Sequence, residues 1–142
     1  MSMRGEDVLA FSLAPKTGAL RVLKAEVKSG TTMTSAVINK ARAALSKDNE
    51  LPSPHAISFV ADRLDEAGNE TLRDALDNAQ LKRGLRTSQI THMLFTFSGN
   101  DPSSLLTTNL KTYSGGVQQR YVALHVSTHK GFIKAVFSAA VK

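Results

Sequence analysis

The sequence predicts an α/β protein in which a mixed β-sheet is flanked by helices. Apolar segments with strand-like composition lie near both ends of the chain, whereas the middle carries apolar residues at helical spacing. Reading these patterns in order gives β-β-α-α-α-β-β-α. Because helices separate the first two strands from the last two, one sheet covered by helices accounts for the whole pattern.

Length and composition restrict the class of protein. The chain has 142 residues, so we expect a single domain over residues 1–142 with room for a core. Hydrophobic residues make up 42%, which excludes a disordered chain, and no apolar run approaches the roughly 18 residues of a membrane span. The start "MSMRGEDV" has no apolar leader, so we expect a cytoplasmic protein without a membrane partner. The absence of cysteine excludes disulfides and thiolate zinc sites.

The charge favours a polyanionic partner, with nucleic acid first among them. The chain carries 18 Lys and Arg against 12 Asp and Glu, a net charge of +6. The basic residues are spread along the chain, which has no repeat and no low-complexity tail.

A β-hairpin opens the chain. The segment "GEDVLAFSL" (5–13) reads as a strand, "APKTGA" (14–19) as a turn containing proline and glycine, and "LRVLKAEVK" (20–28) as a second strand.

Three helices follow the hairpin. Thr32 or Thr34 can cap the first, Ser53 caps the second with Pro54 at its first position, and Asn69 caps the third, which ends near Gly84.

The last part of the chain returns to the sheet. Residues 89–99 form a buried strand, residues 100–120 a polar loop, and residues 121–128 another strand. Thr128 then caps a final helix whose predicted buried side consists of Phe132, Ile133, Val136, Phe137 and Ala140.

Hairpin geometry brings together two carboxylates and a lysine. A turn centred on residues 16–18 places Asp7 opposite residue 26, 27 or 28. Glu26 and Lys28 share one face of their strand because side chains alternate. Mg²⁺ prefers such hard oxygen ligands, to which the carbonyl of Val27 adds another, and a neighbouring lysine can orient water or stabilise negative charge.

The same residues have a simpler interpretation. A carboxylate and a lysine two residues apart also occur by chance, and a charged pair on a solvated strand edge contributes about 0.2–1 kcal/mol. The context favours the metal site: the triplet "EVK" ends a strand, its hairpin partner begins "GED", and a helix follows.

These motifs carry a resemblance. "GED" and "EVK", followed by a helix, resemble the PD-(D/E)xK nuclease superfamily, and "RGEDVLAF…LKAEVKSGTTMTSAVINKARAAL" resembles the nuclease-type domain of the Hachiman antiphage system over residues 4–47. The resemblance implies a restriction-endonuclease-like core that cleaves DNA with Mg²⁺ or Mn²⁺. Asp7 and Glu26 would bind the metal, with Lys28 catalytic, and a helicase or other defence subunit would be the partner.

The superfamily core differs from this chain at its start. That core begins with a helix before the first strand, which we expect to be missing here, so the chain is a fragment of a longer protein or another element replaces the helix. A missing helix would expose apolar sheet surface and favour a homodimer. Lys40 and Arg42, on the helix after the motif, can contact DNA phosphates or simply face solvent.

Two rival functions stay open. The chain can be a catalytically silent nuclease-fold module that binds nucleic acid or a protein partner, or a small α/β domain whose hairpin charges are only surface. The four histidines lack metal-ligand spacing, and we expect His92 to be a hydrogen-bonded core residue. Ser29 has no evident His or Asp partner in the sequence, so serine nucleophile chemistry is disfavoured.

Overall fold

The fold is a mixed α/β sheet flanked by helices, as predicted. A computed structural model describes residues 7–141, apart from the side chains of residues 82 and 83. Within this range the strands and longer helices are, in order, β1 Val8–Leu13, β2 Leu20–Gly30, α1 Ser35–Leu45, α2 Pro54–Glu66, α3 Glu70–Asn78, β3 Ile90–Ser98, α4 Ser103–Lys111, β4 Gln118–His125 and α5 His129–Ala140. The described strands form one sheet in the order β1-β2-β3-β4, with β1 antiparallel to β2 and the others parallel.

The predicted hairpin is present. Its turn is closed by Ala14 N–H donating to the Ala19 carbonyl at 2.8 Å, and Gly18 supplies the positive φ of 64° that this turn needs. The first strand runs from Val8 to Leu13, and residues 5 and 6 of its predicted range lie outside the described residues. The second strand continues two residues further than predicted, to Gly30.

Side-chain caps start the three helices as predicted. The side chains of Thr34, Ser53 and Asn69 each accept a hydrogen bond from a backbone N–H in the first turn of α1, α2 and α3. The third helix ends at Asn78 and passes into a π-helical turn, Ala79–Arg83, before Gly84.

Helices α1 to α4 bury one face of the sheet. One cluster joins the start of the sheet to α2 and α3 through Leu20, Val22, Ile57, Leu76 and Ile90. A second joins Leu94, at the centre of β3, to α1 and α4 through Met33, Ile38, Ala41, Leu45 and Leu106. Because strand side chains alternate, the residues between these on β2 and β3 project from the opposite face, which we call the outer face.

A polar network lies inside the helix-covered side. The buried Lys24 donates to the carbonyls of Leu51 at 2.8 Å and Lys47 at 3.2 Å. His92, also buried, bonds the carbonyl of Glu50 through Nε2 at 2.9 Å, so it is the core histidine that the sequence predicts. These bonds hold a segment in which Asp48, Asn49 and Glu50 have φ of 54°, 57° and 69°. Positive φ is costly for such residues, so the network offsets local strain.

The prediction of a polar loop over residues 100–120 is wrong. Residues 103–111 form α4, and the side chain of Asp101 accepts a hydrogen bond from the N–H of Ser103 at 2.9 Å at its start. Leu106 buries this helix against α1, although serine, threonine and asparagine dominate its sequence. The strand after it begins at Gln118, three residues earlier than predicted.

The predicted buried side of the last helix is also wrong. Phe132 and Val136 are 47% exposed and Phe137 is 66% exposed, whereas the buried residue of α5 is His129. At the first turn of the helix, Phe97 of the outer face packs against the rings of His129 and Phe132. The rings of Phe132 and Phe137 therefore leave an apolar surface in contact with solvent.

None of the helices within residues 7–141 has the length and apolar character required to cross a bilayer.

Candidate functional site

The candidate site lies where β2 extends beyond the end of its pairing with β1. Pairing with β1 begins at Val8 opposite Ala25, so continuing the register by one residue brings Asp7 beside Glu26. This matches the first of the three positions predicted for Asp7. The Asp7 carboxylate accepts a hydrogen bond from the N–H of Val27 at 2.8 Å, which fixes it against the free edge of β2.

The ammonium group of Lys28 lies among the predicted oxygen ligands. Lys28 Nζ forms an ion pair with Glu26 Oε1, donates to the Val27 carbonyl at 3.2 Å and lies 4.0 Å from Asp7 Oδ2. Glu26 and Lys28 thus share a face, as the strand alternation predicts. Three oxygens from separate residues therefore surround a single cationic centre.

The three charged side chains of the site differ in their exposure to solvent. The side chain of Glu26 is 11% exposed, that of Lys28 25% and that of Asp7 44%. Partial burial reduces screening by water and strengthens the attraction between these charges. The Asp7 end of the site is therefore open to solvent.

The donor set fits a divalent cation of the magnesium type. Mg²⁺ usually takes one or two carboxylates and keeps several waters, and two carboxylates plus a backbone carbonyl meet that requirement. No group of three or more His, Cys, Asp or Glu side chains suited to a metal occurs among residues 7–141, so a closed, all-protein cage is not what these residues form. Asp7, Glu26 and the Val27 carbonyl are the residues that would hold such a cation.

The two basic residues proposed for DNA differ in their surroundings. Lys40 is exposed on α1. The guanidinium of Arg42 instead bonds Asn109 Oδ1 at 3.0 Å and Gln119 Oε1, and it lies 5.6 Å from the centre of the Tyr113 ring. Burial lowers the pKa of Arg42. Contact of either residue with nucleic acid stays a prediction, with Lys40 the freer of the two.

The structure pairs Ser29 with a histidine that the sequence did not suggest. Ser29 Oγ lies 3.2 Å from His129 Nε2, and His129 is 6% exposed. The other nitrogen, Nδ1, is buried and has no hydrogen-bond partner within the described part of the chain, so no carboxylate orients this ring. The pair joins positions 100 residues apart, and sequence spacing carries no signal for such a contact.

Fold and site together define a mixed α/β protein with an acidic pair and a lysine at the end of its strand hairpin. The family model for HamA matches residues 1–140, so the chain belongs to the HamA family. It is 29% identical over 139 residues to the Hachiman protein HamA of Bacillus cereus, a match that covers 98% of this chain and 48% of that relative. The chain thus spans about half the length of the curated relative it matches. The resemblance to the Hachiman system is confirmed by this membership.

Proposed function

We propose that this chain is a metal-dependent nuclease domain of the PD-(D/E)xK type, with a restriction-endonuclease-like core, that cleaves DNA in Hachiman antiphage defence. The observation that carries the proposal is the convergence of Asp7, Glu26 and the Val27 carbonyl on one cationic centre. Membership of the HamA family supports the link to antiphage defence.

The site residues divide the work of phosphodiester cleavage. Asp7 and Glu26 would hold the cation, and the hydrogen bond from Val27 N–H fixes the position of the Asp7 carboxylate. Mg²⁺, when bound, would supply an acidic water and neutralise charge on the phosphate. Lys28 carries three N–H donors, which can orient the attacking water or stabilise the developing negative charge on phosphate oxygens.

Lys28 must leave its ion pair to do this. Its ammonium sits among the same oxygens that would hold the cation, so the two positive groups compete for them. A cation held by these oxygens would repel the ammonium, which would favour a Lys28 position nearer the substrate. We therefore expect the resting ion pair to give way to a working arrangement only when metal is present.

A cleavage assay tests the proposal. Plasmid and linear DNA are incubated with Mg²⁺ or Mn²⁺ and, separately, with EDTA, using the wild type, Glu26→Gln and Lys28→Ala. We expect metal-dependent cleavage in the wild type alone. Glu66→Gln is the matched control, because Glu66 pairs with Arg63 on the exposed surface of α2. Equal cleavage by the wild type and both site variants would show that another site, or a contaminant, acts on the DNA.

A second candidate function is a catalytically silent module that binds nucleic acid or assembles with a protein. The exposed apolar residues of α5, chiefly Phe132 and Phe137, favour it. The proposed partners on this account are a helicase or other defence subunit, or a second copy of the chain. DNA binding that survives Lys28→Ala, without cleavage in any metal, would support the module and contradict the nuclease.

A further inference from the structure

A cavity of about 420 Å³ opens at the beginning of the parallel strands, away from the candidate metal site. Arg21 of β2 and Arg120 of β4 both line it, with Ser88, Thr91 and Gln118 between them. Thr91 is the residue of β3 that pairs with Gln118 of β4, so the cavity crosses the sheet at the central strand. No aspartate or glutamate is among its described lining residues.

The two arginines carry unneutralised charge. Within residues 7–141 neither Arg21 nor Arg120 forms an ion pair or a side-chain hydrogen bond, although Arg42, Arg63 and Arg73 all do. Both are exposed, so each side chain can reorient toward a ligand. Guanidinium groups match the geometry of phosphate oxygens and bind them through paired N–H donors.

Polar groups between the arginines complete a set of anion donors. Thr91 Oγ1 donates to Gln118 Oε1 at 3.1 Å, which leaves the amide N–H groups of Gln118 available. Ser88, whose hydroxyl is a further donor, also lines this cavity. The cavity thus presents donors to a ligand that offers acceptors only, as a phosphate does.

An apolar cavity adjoins the polar one. It measures about 430 Å³, shares Arg21, Thr91 and Arg120 with its neighbour, and is otherwise formed largely by Ala10, Leu23 and Met93 on the outer face. A charged half beside an apolar half suits a ligand with a phosphate at one end and a flat, weakly polar body at the other. A nucleotide has that composition.

We propose that this double cavity binds one nucleotide unit, with its phosphate between Arg21 and Arg120 and its base over Leu23 and Met93. The unit can belong to a nucleic-acid strand or be a free nucleotide, since both offer the same chemistry. Its phosphate is not the one at the candidate metal site. Arg21 precedes Glu26 by five residues on β2, which is about 16 Å along the strand and on the opposite face.

Binding in EDTA tests this without any cleavage, so its failure leaves the nuclease proposal untouched. A fluorescein-labelled, short single-stranded oligonucleotide is titrated by anisotropy with the wild type, Arg21→Gln, Arg120→Gln and Lys111→Gln. Lys111 is an exposed residue on α4, so its variant loses the same charge away from the cavity. Each arginine variant should weaken binding roughly tenfold and lower the salt slope by about 1, while Lys111→Gln stays close to wild type.

Competition separates the two sources of the nucleotide. Displacement of the probe by a nucleoside monophosphate, but much less by inorganic phosphate, would identify a free-nucleotide site. Displacement by unlabelled strand alone would identify a nucleic-acid contact. Both results support the double cavity. Equal losses in the two arginine variants and Lys111→Gln would overturn the proposal, as would competition by inorganic phosphate that matches the nucleotide.

Discussion

His92 should make the folding stability of this protein depend on pH. Its ring is fully buried, with Nε2 2.9 Å from the Glu50 carbonyl and Nδ1 3.2 Å from the amide nitrogen of Gln119. A neutral ring protonated on Nε2 satisfies both contacts, because Nε2 donates to the carbonyl and Nδ1 accepts from the amide. A second proton would bind to Nδ1, where it would face the N–H donor of the Gln119 amide and break this hydrogen bond.

Burial lowers the pKa of His92 from its ordinary value of 6.5, and the nearby charge of Lys24 acts in the same direction. The unfolded chain therefore binds more protons than the folded chain below that value, so stability falls as the pH falls below about 6.5. If the folded ring stays neutral throughout, lowering the pH from about 7.5 to about 5.5 removes about 1.4 kcal/mol. This is the upper limit for one histidine over that range.

Urea unfolding followed by circular dichroism at the two pH values measures this loss. Over this range the wild type should lose more stability than His92→Gln, by up to about 1.4 kcal/mol, since glutamine can still donate to the Glu50 carbonyl but does not titrate. His55→Gln, at an exposed position on α2, should keep the wild-type behaviour. Identical pH dependence in the wild type and His92→Gln would refute the reasoning.

Three further changes test the core, a helix cap and the candidate site. Leu94→Ala should lower the free energy of unfolding in urea by about 2–5 kcal/mol, because Leu94 is fully buried at the centre of β3. The control Leu81→Ala, at a position that is 82% exposed, should change it by no more than about 0.5 kcal/mol. Equal losses in the two variants would contradict the assigned core. Thr34→Ala should cost about 1 kcal/mol by the same measurement, since Thr34 accepts from the N–H of Val37 at the start of α1, and no loss would show that the cap is unimportant. Saturating Mg²⁺ should raise the melting temperature of the wild type but not of Glu26→Gln, and an equal rise in both would place the bound ion elsewhere.

The sequence predicted the elements that local signals define. Capping residues Thr34, Ser53 and Asn69 set the helix starts, and the turn at Gly18 set the hairpin register. Helix α4 was not predicted, because its sequence is mostly polar and the packing of Leu106 against α1 is visible only in the folded structure. The exposure of Phe137 could not be predicted either, because an amphipathic pattern identifies an apolar side without identifying what covers it.

The two sites also differ in how far the sequence predicts them. Asp7, Glu26 and Lys28 lie on one hairpin, so turn length and strand alternation were enough to bring them together. The cavity of Arg21 and Arg120 depends on strand order across the sheet, which the periodicity of single segments does not contain. Sites built by neighbouring strands of a hairpin are therefore predictable, whereas those built across parallel strands need the fold.

The measurement that tests the central claim most directly is Mn²⁺ binding, followed by electron paramagnetic resonance. The wild type should bind Mn²⁺, and Asp7→Asn and Glu26→Gln should each weaken that binding at least roughly tenfold, since each loses a charged ligand. Lys28→Met should bind Mn²⁺ at least as tightly as the wild type, because it removes the ammonium that competes for the same oxygens. The same variant should lose DNA cleavage, because that ammonium is the proposed catalytic group. Unchanged Mn²⁺ affinity in Asp7→Asn and Glu26→Gln would contradict a metal site at this hairpin.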